Sequence, residues 1–423
     1  MSKWPVSSLQ GKLHIKHGYP FKGEYFSDVG DYIVLTPGNF YEEGGFKRQA
    51  GKEKFYIGEV PKDYLHNKGD LIVAMTEQAE GLLGSCAFVP NDNLYLHNQR
   101  LGLITAEPKL LDRIFVYYLF QTSSVREQIR LTSSGSKVKH TSPERIYAVT
   151  APLPKVEEQR KIAAALSALD AKIDCNNRIN TELEAMVKTL YDYWFIQFDF
   201  PDKNGKPYKS SGGKMVYNST LKREIPMCWE DGALDDLGQI VGGSTPSTKK
   251  ADNFTTNGTP WITPNDLSDN QGNKFITRGA QDISDKGFKD ASLKKFPVGT
   301  VLLSSRAPIG YMAIARNEVT TNQGFKSFVP TNGYSTAFIY YTVKNSMKVI
   351  TQYASGSTFK EISGTVLKTV KVCLPKSDVV EQFTNSVEPI FKRQDTLEQE
   401  NQQLAQLRDW LLPMLMNGQV TVS

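Results

Sequence analysis

This chain of 423 residues has little cysteine and histidine, no long apolar run, and none of the short motifs that mark the common catalytic sites. Its four cysteines (Cys86, Cys175, Cys228, Cys373) form no CxxC pair, so neither a zinc cage nor a disulfide framework is signalled. Its five histidines include no HExxH, and His14 and His17 have no carboxylate or thiolate beside them. No metal is expected. Apolar stretches such as 114–120 are too short to span a bilayer. The opening Met1-Ser2-Lys3-Trp4-Pro5 lacks the apolar core of a signal peptide, so a cytoplasmic location without membrane contact is expected. There is no GxxxxGKS/T loop for ATP, and Gly242-Gly243-Ser244-Thr245-Pro246 lacks the third glycine of a dinucleotide fingerprint. The Asn/Asp-Pro-Pro-aromatic turn that holds a target amine is missing, as is a Gly-x-Ser-x-Gly elbow. Pro201-Asp202 is not followed closely by Asp-x-Lys or Glu-x-Lys, so its Gly/Pro-rich surroundings describe a loop and not a nuclease. The chain reads as a non-enzyme without a cofactor of its own.

What is present is a soluble globular composition, 39% hydrophobic and 22% charged, in a chain long enough for two domains or more. The net charge of +5 fits DNA contact over limited patches and falls short of a protein that wraps nucleic acid. The informative feature is a repeat. Ser134-Gly-Ser-Lys-Val-Lys139 matches Ser355-Gly-Ser-Thr-Phe-Lys360, and Leu153-Pro-Lys155 matches Leu374-Pro-Lys376, each 221 residues apart. Ser142 and Ser363 keep the same offset. Upstream, Gly69-Asp-Leu-Ile-Val73 resembles Gly299-Thr-Val-Leu-Leu303, a turn entering a buried strand. Asn98-Gln-Arg-Leu-Gly102 resembles Asn322-Gln-Gly-Phe-Lys326, and apolar, aromatic helices are expected at 111–120 and 337–343.

After each Leu-Pro-Lys a heptad seam begins. In the first helix it runs through Ile162, Leu166, Leu169, Ile173, Asn176, Asn180, Leu183, Val187, Leu190 and Trp194. The positions 221 residues later run from Phe383 through Gln394, Leu397 and Asn401 to Leu415. Arg408 breaks the second seam, and Leu407 is expected to turn inward in its place. Pro389 is expected to kink that helix and Pro413 to end it. The amides Asn176, Asn180, Gln394 and Asn401 are candidates for fixing register, since a buried amide is satisfied in one alignment only. From Ile162 to Trp194 such a rod is about 50 Å long at 1.5 Å per residue.

The run Ala151-Pro-Leu-Pro-Lys-Val-Glu-Glu-Gln-Arg-Lys-Ile162, the helix ending Leu190-Tyr-Asp-Tyr-Trp-Phe195, and Phe198–Lys214 resemble the central region of type I restriction–modification specificity subunits. Ile225-Pro-Met-Cys-Trp229, Gly243-Ser-Thr-Pro-Ser247, Pro260-Trp-Ile-Thr263 and Gly356-Ser-Thr-Phe-Lys-Glu-Ile-Ser363 are similar to stretches of the recognition domains in that family. The first half departs most, with Gly135-Ser-Lys-Val-Lys-His-Thr-Ser142 as a variant and no Gly-Ser-Thr-Pro turn before it. The resemblance implies an α+β chain: two α/β target-recognition domains separated by two long antiparallel helices forming a coiled coil. The expected divisions are domain 1 at 1–152, the central helix at 153–200, a linker at 201–224, domain 2 at 225–374, the second helix at 375–416, and a tail at 417–423. It also implies double-stranded DNA with a bipartite target, two adenine N6-methyltransferase subunits and two restriction/translocase subunits as partners. S-adenosylmethionine, ATP and Mg would belong to those partners. The alternative is a stand-alone two-headed DNA-binding regulatory or architectural protein.

Reading DNA takes guanidinium, amide and hydroxyl groups on loops, with lysines on phosphates. The candidates in the first half are Lys47, Arg48, Asn98, Gln99, Arg100, Lys137, Lys139 and His140. In the second they are Lys249, Lys250, Ser304, Ser305, Arg306, Asn322, Gln323, Lys326, Thr358 and Lys360. The repeated Gly-Ser-x-x-Lys turn supports two readings, a DNA-contacting loop or a structural turn into the last strand. Tyr117, Tyr118, Tyr340 and Tyr341 fall in apolar helical runs and are expected in the core, not on a stacking platform.

Overall fold

A computed structural model describes residues 3–77, 81–354 and 361–422. The chain divides into two compact units, Met1–Ile173 with Gln402–Ser423, and Asp174–Asn401. Each unit thus takes part of both long helices, and each has the same plan.

In the first unit the strands Leu13–His17, Leu101–Ala106, Leu71–Ala74 and Cys86–Phe88 form an antiparallel sheet in that order. A second sheet runs Phe26–Ser27, Phe55–Tyr56, Tyr32–Leu35, Tyr95–His97, its last pair parallel. In the second unit the corresponding sheets are Gly238–Gly242, Lys326–Pro330, Val301–Leu303, Met312–Ala315, Phe275–Ile276, and Phe254–Thr255, Gln281–Ile283, Thr259–Ile262, Thr320–Thr321. Leu71–Ala74 and Val301–Leu303 are unbroken apolar runs, as strands buried on both faces require, and every residue in them is buried. Each is entered through a glycine at positive φ, Gly69 at +84° and Gly299 at +82°, where a side chain would be strained. The aromatic helices form at Arg113–Leu119 and Thr336–Gln352, capped by Asp112 and Ser335. Tyr118, Tyr340 and Tyr341 are buried and Tyr117 packs on the core. Ser142 and Ser363 each accept a hydrogen bond from the backbone N–H three residues on, capping the helices Pro143–Tyr147 and Gly364–Thr369. The 221-residue repeat is therefore a repeat of caps as well as of letters.

Each recognition fold closes on a strand pair, Val6–Ser8 with Thr150–Pro152 and Glu230–Ala233 with Lys371–Leu374, just before a long helix. The first long helix spans Val156–Tyr191 and continues as a π-helical turn to Ile196. The second spans Ser377–Met416 and passes through Pro389 and Pro413 without interruption. Within the first unit Ile162 and Leu166 share a core with Leu412 and Leu415, and Arg408 bonds Asp170 at 2.9 Å. Within the second, Val187 and Trp194 share a core with Phe383 and Val387. In both units residue numbers rise along one helix as they fall along the other, so the segments run antiparallel. No helix of the described residues is long and apolar enough to cross a membrane.

Two further expectations are corrected. Leu407 is 43% exposed and Arg408 keeps the inward position, because Asp170 neutralises it while also accepting the Tyr118 hydroxyl at 2.5 Å. The segment 201–224 is not a bare linker. Phe200 stacks between Tyr208 and Trp229 with centroids at 4.7 and 4.9 Å, and Met215–Asn218 pairs with Arg223–Pro226. Asp202 there accepts the N–H groups of Asn204 and Lys206, which makes it a turn former. Among the register candidates, Asn180 and Asn401 are 221 residues apart but do not face each other. The antiparallel pairing sets Asn401 against Asn176, whose Nδ2 donates to Asn401 Oδ1 at 2.9 Å and to Glu400 at 3.0 Å. Asn401 donates in turn to Asn177 at 2.7 Å, and Gln394 meets the backbone carbonyl of Asn180 at 3.4 Å.

Asn176 is fully buried, so its replacement has a definite cost. Asn176→Leu takes from the Asn401 carbonyl the donor it has, and is expected to destabilise by about 1–3 kcal/mol. Adding Asn401→Leu removes both sides of the bond, and the double variant is expected to lose less than the sum of the singles. A thermal-melt double-mutant cycle reads this coupling; strict additivity would mean the amides act separately.

Candidate nucleic-acid interface

The strand Leu71–Ala74 leads out to Met75 and Thr76, and Val301–Leu303 leads to Ser305 and Arg306. Around these exits both units use one backbone frame. In the first, Met75 N–H donates to the Arg100 carbonyl at 2.9 Å and Thr141 N–H to the Met75 carbonyl at 3.0 Å. In the second, Ser305 N–H donates to the Gly324 carbonyl at 2.8 Å and Ile362 N–H to the Ser305 carbonyl at 3.0 Å. The flanking register also agrees: Ala74 faces Leu101 and Ser304 faces Phe325, while Thr76 faces His140 and Arg306 faces Glu361.

A third strand end joins the frame. Tyr19 N–H donates to the His97 carbonyl and Ser244 N–H to the Thr321 carbonyl, both at 3.0 Å. A Cβ on Gly18 would come within 1.9 Å of the Asn98 carbonyl oxygen, and one on Gly243 within 2.2 Å of the Thr321 carbonyl oxygen. Both positions therefore need glycine. Gly18-Tyr19-Pro20 does in the first unit what Gly243-Ser-Thr-Pro246 does in the second, so the turn thought absent from the first half is present in other letters.

The turn after each frame strand is also shared. Asn98 Oδ1 accepts Arg100 N–H at 2.9 Å, and Asn322 Oδ1 accepts Gly324 N–H at 2.8 Å. These asparagines build the turn with the atom a base reader would need. Gln99 and Gln323 project between them and are exposed; Gln323 accepts the hydroxyl of Thr245. Lys137 and His140 are exposed and Lys139 is half-buried, with His140 Nδ1 3.1 Å from the Thr76 hydroxyl. Arg306 and Lys326 share Glu361, at 3.7 and 3.6 Å. The frame thus gathers Asn98, Gln99, Arg100, Lys139 and His140 in one unit, and Arg306, Asn322, Gln323 and Lys326 in the other.

Other candidates fall elsewhere. Ser304 and Ser305 are fully buried. Ser304 Oγ bonds the Pro308 carbonyl at 2.7 Å and the Tyr311 N–H at 2.9 Å, so these serines fix the strand end and do not reach for bases. Lys47 and Arg48 are exposed, on a loop held by Asn39 rather than by the frame. Lys249 is exposed and Lys250 pairs with Asp290 at 3.3 Å. Thr358 and Lys360 lie outside the described residues.

Sequence reasoning missed one buried cluster beside the first frame. Asp70 meets His66 Nδ1 at 3.0 Å, His66 Nε2 meets His97 Nδ1 at 2.9 Å, and His97 Nε2 faces the Lys16 carbonyl at 3.3 Å. Burial, and then the neighbouring His66, push His97 down to about 3. Burial alone would raise Asp70, but the bonds from His66 and the Asn67 N–H hold it lowered. A folded-state value below the unfolded one means that the unfolded chain takes up the proton first. The stability is therefore present above about pH 6.5 and is lost as pH falls toward 3. Between pH 7 and pH 5 this one group is expected to remove about 2 kcal/mol from the first unit. Urea unfolding of wild type and His97→Asn at both pH values measures it, and an equal acid loss in the variant would show that His97 is not the source.

The family described as Type I restriction modification DNA specificity domain matches residues 1–185 and 226–407. The type I restriction enzyme MjaIX specificity subunit of Methanocaldococcus jannaschii is 40% identical over 186 residues, which are 41% of this chain and 42% of that relative. The HindI specificity subunit of Haemophilus influenzae is 24% identical over 473 aligned residues, covering 99% of this chain and 100% of that relative. In fold, the chain is similar to the S subunit of a type I restriction-modification system from M. genitalium, with a TM-score of 0.58 at 14% identity, over 98% of this chain and 96% of that one.

Proposed function

Because the chain belongs to the type I restriction–modification DNA specificity family, we propose that it reads a bipartite target in double-stranded DNA, one half with residues 1–152 and the other with 225–374. In this reading it docks two adenine N6-methyltransferase subunits, which carry S-adenosylmethionine and in turn recruit two ATP- and Mg-dependent restriction/translocase subunits. The chain contributes no catalytic step, and the complex works in the cytoplasm.

The observation that carries the reading is the duplicated frame. Two loop clusters have the same backbone bonds and register but different residues at matching positions: the exposed His140 and Arg100 against Glu361 and Gly324, and the buried Thr76 against the part-exposed Arg306. A rigid support with exchangeable exposed groups is what two readers of unlike sequences require. Backbone and lysine contacts to phosphate would set position, and the exposed groups would choose bases.

The test is to produce the chain with its adenine methyltransferase subunit and map N6-methyladenine across the host genome. A split motif that appears only when both are present is expected. Methylation without a split motif defeats the reading. Tight binding of a split site by the chain alone, with no methylation in either case, would favour the stand-alone regulator.

A further inference from the structure

We propose that Arg100 and Arg306 are counterparts, each presenting a guanidinium that reads a guanine in the major groove of its half-site. The proposal rests on the DNA-reading function above and names the groups that deliver it.

The two arginines do not align in sequence. The frame equates Arg306 with Thr76, and Arg100 with Gly324. Each unit therefore has one arginine across this pair of positions and a small residue at the other. Geometry explains the exchange. A Cβ built on Gly324 would lie 3.5 Å from Nε of Arg306, with Asn322 Oδ1 and Pro264 Cγ at 3.0 Å. A side chain growing from position 324 would enter the space that the Arg306 guanidinium occupies. In the first unit that side chain is Arg100, and its partner position holds the short Thr76. Each unit thus offers one arginine from this pair of positions, from opposite sides of the frame.

The chemistry of that volume is specific. Guanine offers O6 and N7 in the major groove, and a guanidinium matches both with two parallel N–H donors. Arg306 is 35% exposed at its side chain and rests 3.7 Å from Glu361, which restrains the planar group without burying it. Arg100 is exposed at the end of the turn fixed by Asn98. Phosphate contact would need neither the carboxylate partner nor a cleared neighbouring position.

The complex of this chain with its methyltransferase subunit is tested with Arg100→Gln and Arg306→Gln, since glutamine prefers adenine. For each variant the readout is the methylated motif, position by position. Arg100→Gln is expected to relax one guanine, or its paired cytosine, in the half-site read by residues 1–152, with roughly 5- to 150-fold lost discrimination. Arg306→Gln is expected to do the same in the other half-site only. The untouched half-site reports that the protein still folds and assembles. An unchanged motif overturns the proposal, as does a uniform fall in methylation at every sequence, which is the mark of a phosphate contact. If the wild type gives no split motif, the functional reading fails first, and that outcome is distinct.

Discussion

Replacing residues 1–152 with the matching segment of another family member is expected to change one half of the methylated motif completely and leave the other half intact. The structure favours this junction. Val6–Ser8 pairs with Thr150–Pro152, so the cut falls after the last strand of the fold and before the helix that starts at Val156. The graft must preserve the core that this segment shares with Ile162, Leu166, Leu412 and Leu415, and a few hydrogen bonds. Gln159 Oε1 accepts the Asp112 N–H at 2.9 Å, and its amide donates to the carbonyls of Leu110 and Pro154 at 3.0 and 2.8 Å. The Tyr118 hydroxyl reaches Asp170. A donor segment with Tyr at position 118 and the same backbone course at 110–112 keeps these bonds. Each changed base pair in a half-site is worth about 1–3 kcal/mol, so three or four new bases shift preference by at least about a hundredfold. Methylation mapping of the graft checks it. An old motif surviving in full would mean that residues 1–152 do not choose bases.

The sequence disclosed those parts of the fold whose cause is local. Ser142 and Ser363 are visible as a repeated pair, and the caps they form need only one hydroxyl and three following residues. Leu71–Ala74 and Val301–Leu303 are visible because burial on both faces leaves an unbroken apolar run. What stayed hidden depends on partners far along the chain. Asn180 and Asn401 share a repeat position, but antiparallel pairing is set by the fold, and it hands Asn401 to Asn176. Ser304 and Ser305 look like a polar loop, although each lies inside the frame with its strand-exit hydrogen bonds. The segment 201–224 has the composition of a linker, but Phe200 and Tyr208 find Trp229. The shared frame was legible as two turns, Asn98–Arg100 and Asn322–Lys326. That position 306 answers to 76 and position 324 to 100 was not, because the offset between the halves changes along the chain.

Lys274 is the clearest case of a hidden residue, and its removal is expected to cause the largest loss of stability. It follows a turn with nothing to mark it in sequence, yet it is 5% exposed. Its ammonium uses all three donors, to Glu184 at 2.6 Å, Gln394 at 2.7 Å and the Tyr341 hydroxyl at 3.0 Å. The backbone N–H groups of Lys274 and Phe275 donate to Glu398 at 2.7 and 3.1 Å, and Arg316 closes on the same carboxylate at 2.9 Å. This network fastens the recognition fold of the second unit to both long-helix segments within it. Burial alone would raise Glu184, but Lys274 and Lys344 hold it down at about 2. Burial lowers Lys274, and Glu184 opposes that. Lys274→Met leaves Glu184 with the half-exposed Lys344 for a cation and takes the buried donor from Gln394 and Tyr341, which together costs about 3–5 kcal/mol. At roughly 2–4 °C per kcal/mol for a unit of this size, its melting point should fall by about 6–20 °C. Lys274→Met with Glu184→Met removes both charges and is expected to recover much of the loss. Acid gives an independent reading. The Glu184 contribution is complete above its unfolded value near 4.5 and is lost as pH falls toward 2. In Lys274→Met that acid loss should shrink. Thermal melts of the three proteins at pH 7 and pH 3, with hydrogen exchange at the amides of Lys274 and Phe275, test both claims. A single variant as stable as the wild type would mean that the ion pair contributes nothing to holding this fold on its helices.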